Sequence, residues 1–411
     1  MSDSVSQNEK NEPMAENIFF HQGADHLFNK KTTEKDAIEI IKKKIFDLSN
    51  IKNINFLLGA GASSDAIPDM KGLPKLIHET LEADKKIQIL KMFDDLNLKL
   101  KSNLESILGS LYTKNNYFED LGQKDTSIEE LIEFIKSKIY ELINISFREP
   151  THISTLNLYK DFYKKTAFRN RDLSRVNIFT INNDLLSEKA LDDLNINFNN
   201  GFGGGLERFF NPARFSYTYS RKIDGNFEKF ESIDNMVYLY KMHGSINWVE
   251  NFESNSFFNV QEVPIVYGDK NNLKNLMIYP TPLKQNKSLG SPYADLIREF
   301  QKKLLLPHSV LFIIGYSFRD EHINNIIYQA LASNSTINLV IFGKLLETPI
   351  FKFNDRRIYK IYGEVEVGNK SKEKIHYFKY IVKNLLPDLD INRDDEILQV
   401  FIDQLAKKDN K

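Results

Sequence analysis

The sequence predicts an α/β protein in which a parallel sheet is flanked by helices, on three observations. Short apolar runs of strand length recur along the chain, helix-period patterns separate them, and a polar or glycine-rich cluster comes directly after four of the runs. Taken in order, residues 1–37 are polar and poor in branched apolar types, a composition that does not offset the entropy of ordering, and they read as a mobile N-terminal tail. A single domain then runs over 38–384. From Asp36 the spacing of Ala37, Ile38, Ile40, Ile41, Ile45, Phe46 and Leu48 suits one face of a helix, and the run 54–58 reads as a buried strand. About 75–147 the pattern is helical, a helical insertion in which DTSIEELIEFIKSKIYELI offers Asp125, Thr126 or Ser127 as N-cap. The later runs VNIFTI, MVYLYKM, NLMIYP, SVLFIIG and INLVIFG are strands of the kind covered on both faces. Between them, the Gly-, Asn- and aromatic-rich stretch 200–234 predicts long loops, and 385–411 reads as a C-terminal helical tail.

The clusters at the strand ends carry the chemistry. Phe56-Leu57-Leu58 leads into Gly59-Ala60-Gly61-Ala62-Ser63, Ile178-Phe179 into Thr180-Ile181-Asn182-Asn183-Asp184, the run ending at Met242 into His243-Gly244, and Phe312-Ile313-Ile314 into Gly315-Tyr316-Ser317. In open α/β sheets ligands bind outside the carboxyl ends of the strands, so these four clusters are expected to converge on one cleft.

Composition narrows the classes. Over 411 residues the formal charge is -1, which leaves no basic field for tracking phosphates, so no direct sequence-specific nucleic-acid binding is expected. No apolar run approaches the ~20 residues of a membrane span. MSDSVSQNEKNEPMAEN lacks the charged and apolar regions of a secretory leader, and the expectation is a cytoplasmic protein with no membrane association. Cysteine is absent, which excludes disulfides, thiolate nucleophiles and every cysteine-ligated metal site.

Gly59, Ala60 and Gly61, after a strand, let a backbone approach a pyrophosphate without interference from Cβ atoms; a tight turn requiring positive φ explains the same glycines equally well. Trp248 and the aromatic stretch 202–219 suit stacking on a base or, more commonly, packing.

The motifs together resemble those of the sirtuins. Ile67-Pro68-Asp69-Met70-Lys71 is similar to the Gly-Ile-Pro-Asp-Phe-Arg segment that comes after Gly-Ala-Gly-x-Ser in that family, and 180–184 to Thr-Gln-Asn-Ile-Asp. His243-Gly244 resembles the family's His-Gly, Gly315-Tyr316-Ser317 its Gly-Thr-Ser, and Ile337-Asn338 the late Ile-Asn pair near the adenosine. The motifs occur in the family's order from about Phe56 to Phe342. The resemblance implies a Rossmann-like sheet with NAD, as substrate, at its carboxyl edge. It assigns Asn182 to fixing a water and a ribose hydroxyl, with capping of the next helix as the alternative, and His243 to taking a proton. Asp184 orients ribose or loop, or serves the helix dipole. Gly59, Ala60, Gly61, Ser63, Asp69, Thr180, Gly315, Ser317, Arg319 and Asn338 would bind cofactor, although Ser63, Arg319 and Asp320 also suit local capping or ion-pair roles.

The departures are informative. Sirtuin deacylases carry a cysteine-ligated zinc module beside the acyl-lysine channel, and a chain without cysteine has no such module, so no zinc is expected and water becomes the acceptor. Ile-Pro-Asp also stands one residue closer to Gly-Ala-Gly, with Met70 and Lys71 in place of Phe and Arg. This pattern resembles the zinc-free sirtuin-like proteins of bacterial antiphage systems, which deplete NAD. By that resemblance the chain is a NAD hydrolase giving nicotinamide and ADP-ribose, a homo-oligomer, and a partner of a HerA-type hexameric ATPase. The alternatives are a NAD-dependent protein deacylase and a non-catalytic sensor of NAD or ADP-ribose; retention of Asn182 and His243 argues against the sensor.

Overall fold

The computed structural model describes residues 15–29, 31–68, 72–170, 172–223, 229–250, 259–268, 276–278, 291–367 and 371–387. The strands of its first half are Ile18–Gln22 (β1), Asp25–His26 (β2), Asn53–Leu58 (β3), Val176–Thr180 (β4), Asn197–Asn199 (β5), Phe202–Gly203 (β6), Arg208–Phe210 (β7), Ser220–Lys222 (β8) and Phe230–Ser232 (β9). Those of the second half are Met236–Lys241 (β10), Gly244–Glu250 (β11), Val260–Glu262 (β12), Leu276–Ile278 (β13), Ser309–Ile314 (β14), Asn338–Phe342 (β15), Ile358–Val367 (β16) and Ser371–Lys374 (β17).

The main sheet has the order β2-β1-β16-β15-β14-β3-β4-β10-β5, with β17 added on β16. From β16 to β5 every neighbouring pair is parallel. The chain steps from β3 to β4, goes out to the edge strand β5 and comes back to β10 between the two, then crosses to the other side of β3 and runs outward through β14, β15 and β16. The winding therefore reverses between β3 and β14. This is the doubly wound dinucleotide-fold arrangement, and the reversal is the topological switch point beside which such folds bind ligands.

Both faces of the sheet are covered, as the near-continuous apolar strands predict. On β3, Ile54, Phe56 and Leu58 face one core with helices Glu34–Ser49 (α1) and Pro150–Thr166 (α6), and Leu57 faces the other. On β14, Val310, Phe312 and Ile314 alternate with Leu311 and Ile313 in the same way. The second core contains helices Tyr293–Leu304 and Glu321–Ser333 together with the aromatics of a small antiparallel sheet, order β13-β11-β12-β7-β6. Between α1 and α6 stand helices Leu73–Ala83 (α2), Ile87–Lys99 (α3), Leu104–Asp120 (α4) and Thr126–Ile143 (α5), which close a third core of their own around Ile77, Phe93, Leu108 and Ile135. Of the three candidate caps of α5, Asp125 is the one used, accepting from the Ser127 and Ile128 amides at 3.0 and 3.3 Å.

Two expectations are corrected. Residues 1–37 are not a tail throughout, because β1 pairs antiparallel with β16 and buries Ile18 and Phe20, while Thr33 caps α1. The partner strand lies more than 300 residues away, beyond the reach of local composition. NLMIYP does not join the parallel sheet: β13 pairs antiparallel with β11 in the small sheet. The C-terminal stretch expected as a helical tail lies, from residue 388, outside the described residues.

Candidate active site

The turns after β3 and β14 are built against each other. Gly59 and Gly61 donate their backbone N–H groups to the Ile314 and Gly315 carbonyls at 2.9 and 3.0 Å. A Cβ on Gly59 would stand 2.4 Å from the Gly315 oxygen, and one on Gly315, whose φ is +67°, 2.6 Å from the Ala62 nitrogen. Gly59 itself has φ -98°, so close approach of two loops, and not a left-handed turn, is what requires glycine there. The segment Ala60–Ala62 is a single 3-10 turn, not the opening of a long helix, and it leaves Ala60 and Gly61 exposed on the rim.

Behind the turn lies a buried polar knot. Ser63 Oγ donates to Asp184 Oδ2 at 2.9 Å and receives from Asn182 Nδ2 at 3.2 Å, with Tyr159 Oη at 2.8 Å. Burial, reinforced by the Asp184 carboxylate, pushes the Tyr159 phenol well above its ordinary range, so it keeps its proton and donates to Ser63. Asp184 Oδ1 accepts from the Leu186 amide at 2.9 Å, at the start of helix Leu186–Asp193 (α7). Asn182 spends both amide hydrogens on protein, the second on the Gly59 carbonyl at 3.1 Å, so the atom it offers a ligand is the acceptor Oδ1. Thr180 serves this geometry from behind: its hydroxyl donates to the Leu58 carbonyl at 3.0 Å and accepts from the Asn182 amide at 3.0 Å.

His243 arrives from the adjacent strand. β10 pairs with β4 in parallel, Lys241 opposite Thr180, and the Met242 amide bonds the Thr180 carbonyl at 2.8 Å. Asn183 Nδ2 then donates to the His243 carbonyl at 2.7 Å, so the loops carrying Asn182 and His243 are tied together. Lys241, 2% exposed, points back under the same loop. Its ammonium donates to the Asn183 and Asp184 carbonyls and pairs at 3.0 Å with Glu188 of α7, whose carboxyl burial still raises above its ordinary range. His243 Nε2 lies 2.9 Å from Asp320 Oδ2. Asp320 is also the N-cap of helix Glu321–Ser333, its Oδ1 accepting from the His322 and Ile323 amides at 2.8 and 3.2 Å. Burial acts to raise the Asp320 carboxyl, but the His243 hydrogen bond and charge and the two helix amides outweigh it and hold the group below its ordinary value.

Thus Gly59, Ala60, Gly61, Ser63, Thr180, Asn182, Asp184, His243 and Gly315 meet at one edge, with Ser317 and Arg319 exposed on the loop beyond β14. Asp69 lies outside the described residues. Asn338 is a correction: it opens β15 opposite Val310, whereas Phe342 pairs with Ile314, so it sits about 13 Å from the carboxyl edge at ~3.3 Å per residue. The residue standing at that edge after β15 is Gly343. Trp248 is 1% exposed and packs against Phe202 and Phe210, which removes it as a stacking platform. Sequence reasoning missed Tyr159, Lys241 and the pairing of Asp320 with His243; of these only Asp320, a capping type ahead of a helical pattern, carried a local signal. Among the described residues no group of three or more His, Cys, Asp or Glu is placed to hold a metal ion.

Fold and site together define a doubly wound α/β protein with a carboxamide, an imidazole and a buried carboxylate at the switch-point edge. Residues 176–345 match the SIR2-like domain family, a stretch that holds Asn182, His243 and Asp320 but not the glycine turn at 59–61. Among solved structures, the chain is similar to one from work on the mechanism and regulation of Sir2 enzymes, at 11% identity and TM-score 0.34, covering 78% of this chain and 93% of that one. It is also similar to a mutant Sir2 homologue in complex with 2'-O-acetyl ADP ribose, at 12% identity and TM-score 0.32, covering 76% of this chain and 88% of that one. No curated protein matches the chain.

Proposed function

We propose that the chain hydrolyses the nicotinamide–ribose bond of NAD, releasing nicotinamide and ADP-ribose. The observation that carries this reading is the placement of Asn182 and His243 on neighbouring loops joined through Asn183. The SIR2-like match over 176–345 supports NAD-dependent activity in general. Exposed Ala60, at the start of the 3-10 turn after β3, offers its backbone N–H to a pyrophosphate at the switch point.

In the reaction the bond between C1′ and the pyridine nitrogen breaks through an oxocarbenium-like state, and the electron pair leaves with nicotinamide. Water adds to C1′. Asn182 Oδ1 accepts a hydrogen bond from that water or from a ribose hydroxyl, and His243 removes the proton and returns it to solvent. Water is favoured over an acyl-lysine as acceptor because a chain without cysteine lacks the zinc module of the deacylases. Chromatography of NAD products from the purified chain tests the reading. Asn182→Ala and His243→Ala are each expected to lower nicotinamide release by about two orders of magnitude or more; wild-type turnover in either variant defeats it. Adding an acetyl-lysine peptide to the same reaction reads out deacylation.

The wider reading is a NAD-depleting effector of antiphage defence, cytoplasmic, homo-oligomeric and assembled with a HerA-type ATPase. It is supported by the sequence resemblance. Light scattering of the chain alone and with such an ATPase, alongside NAD turnover, tests it.

A further inference from the structure

We propose that Asp320 is the positioning residue of His243, fixing its tautomer so that Nδ1 is the nitrogen that takes the proton. The geometry assigns each oxygen of this carboxylate a separate task. Oδ1 caps helix Glu321–Ser333 through two amides, and Oδ2 faces His243 Nε2 at 2.9 Å. A carboxylate only accepts, so Nε2 must carry the hydrogen, and the neutral ring then has its lone pair on Nδ1. The carboxylate cannot turn without abandoning the helix amides. The positive end of the helix favours its anionic form, and Tyr316 Oη, donating to Asn324 Oδ1 at 2.8 Å, braces the same loop.

This rests on the reading of His243 as proton acceptor in NAD hydrolysis. When Nδ1 takes a proton from water or a ribose hydroxyl, the imidazolium keeps its Nε2–H on Asp320, and the carboxylate stabilises the new charge without itself being protonated.

Asp320→Asn separates the two tasks. Asparagine caps helices as well as aspartate does, so the helix stays. Its carbonyl oxygen must serve the amides at 322 and 323, because its NH2 would meet them donor to donor. The NH2 therefore faces Nε2, which must now accept, and the proton moves to Nδ1.

The test is nitrogen-15 NMR of the full chain with ring-labelled histidine at a pH where imidazole is neutral, the His243 signals assigned with His243→Gln. Wild-type protein is expected to show Nε2–H and the Asp320→Asn variant Nδ1–H, with kcat for nicotinamide release down by about 10² to 10⁴ and KM within about threefold. Wild-type His243 protonated on Nδ1 overturns the proposal without reference to any variant. So does an Asp320→Asn protein that keeps both Nε2–H and wild-type kcat. If the tautomers reverse as expected while neither protein releases nicotinamide, the positioning stands and the NAD reading falls.

Discussion

Lys241 illustrates how much of the carboxyl edge is shaped by residues buried behind it. Its ammonium is buried beneath the 182–184 loop, held by two backbone carbonyls and by Glu188, and it is the charge that keeps those carbonyls turned inward. Removing one member of a buried pair strands the other. Lys241→Met should therefore cost about 3–5 kcal/mol in urea denaturation, whereas Lys241→Met combined with Glu188→Leu should recover most of that loss. Nicotinamide release should stay low in both, since neither restores the donors to Asn183 and Asp184. Equal stability of the two variants would show that the pair carries no such coupling. Lys241 gave no sign of this in the sequence, where it is one cation inside an apolar run; Asn182 and His243 were legible because they come just after strands, at places where side chains face a ligand edge.

At the level of elements, the carboxyl edge depends on two turns that touch at glycines with no room for a Cβ. Gly315→Ala places a methyl against backbone atoms of Gly61 and Ala62 that no rotamer change relieves, and at a φ of +67°. A loss on the order of 3 kcal/mol is expected, read as a lowered denaturation midpoint; a midpoint within error of wild type would mean that the turns part easily. The same elements show what a local reading reaches. The runs VNIFTI, MVYLYKM, SVLFIIG and INLVIFG are parallel strands because their composition is decided by burial on both faces. β1 and β13 were misread because each is decided by a partner outside its own stretch of sequence. The error at Asn338 has a different origin: a two-residue likeness placed it near a ligand, while the register of β15 with β14 puts it at the opposite end of the strand.

At the level of the whole molecule, α2 to α5 enclose a core separate from the two that sandwich the sheet, touching the site through Leu185 and Ile246. Hydrogen exchange should divide accordingly. Amides of β3 and β14, between two cores, are expected to open only with global unfolding, and those of α3 and α4 at lower free energy; uniform protection across both would argue for one cooperative unit. The winding has a further consequence. β3 lies between β4 and β14, and the glycine turn after β3 is completed by Gly315, some 250 residues later in synthesis. A growing chain thus carries Asn182 and His243 outside the ribosome well before it has the seam that seats them. A copy that ends before Gly315 therefore holds both groups without the glycine seam that closes behind them.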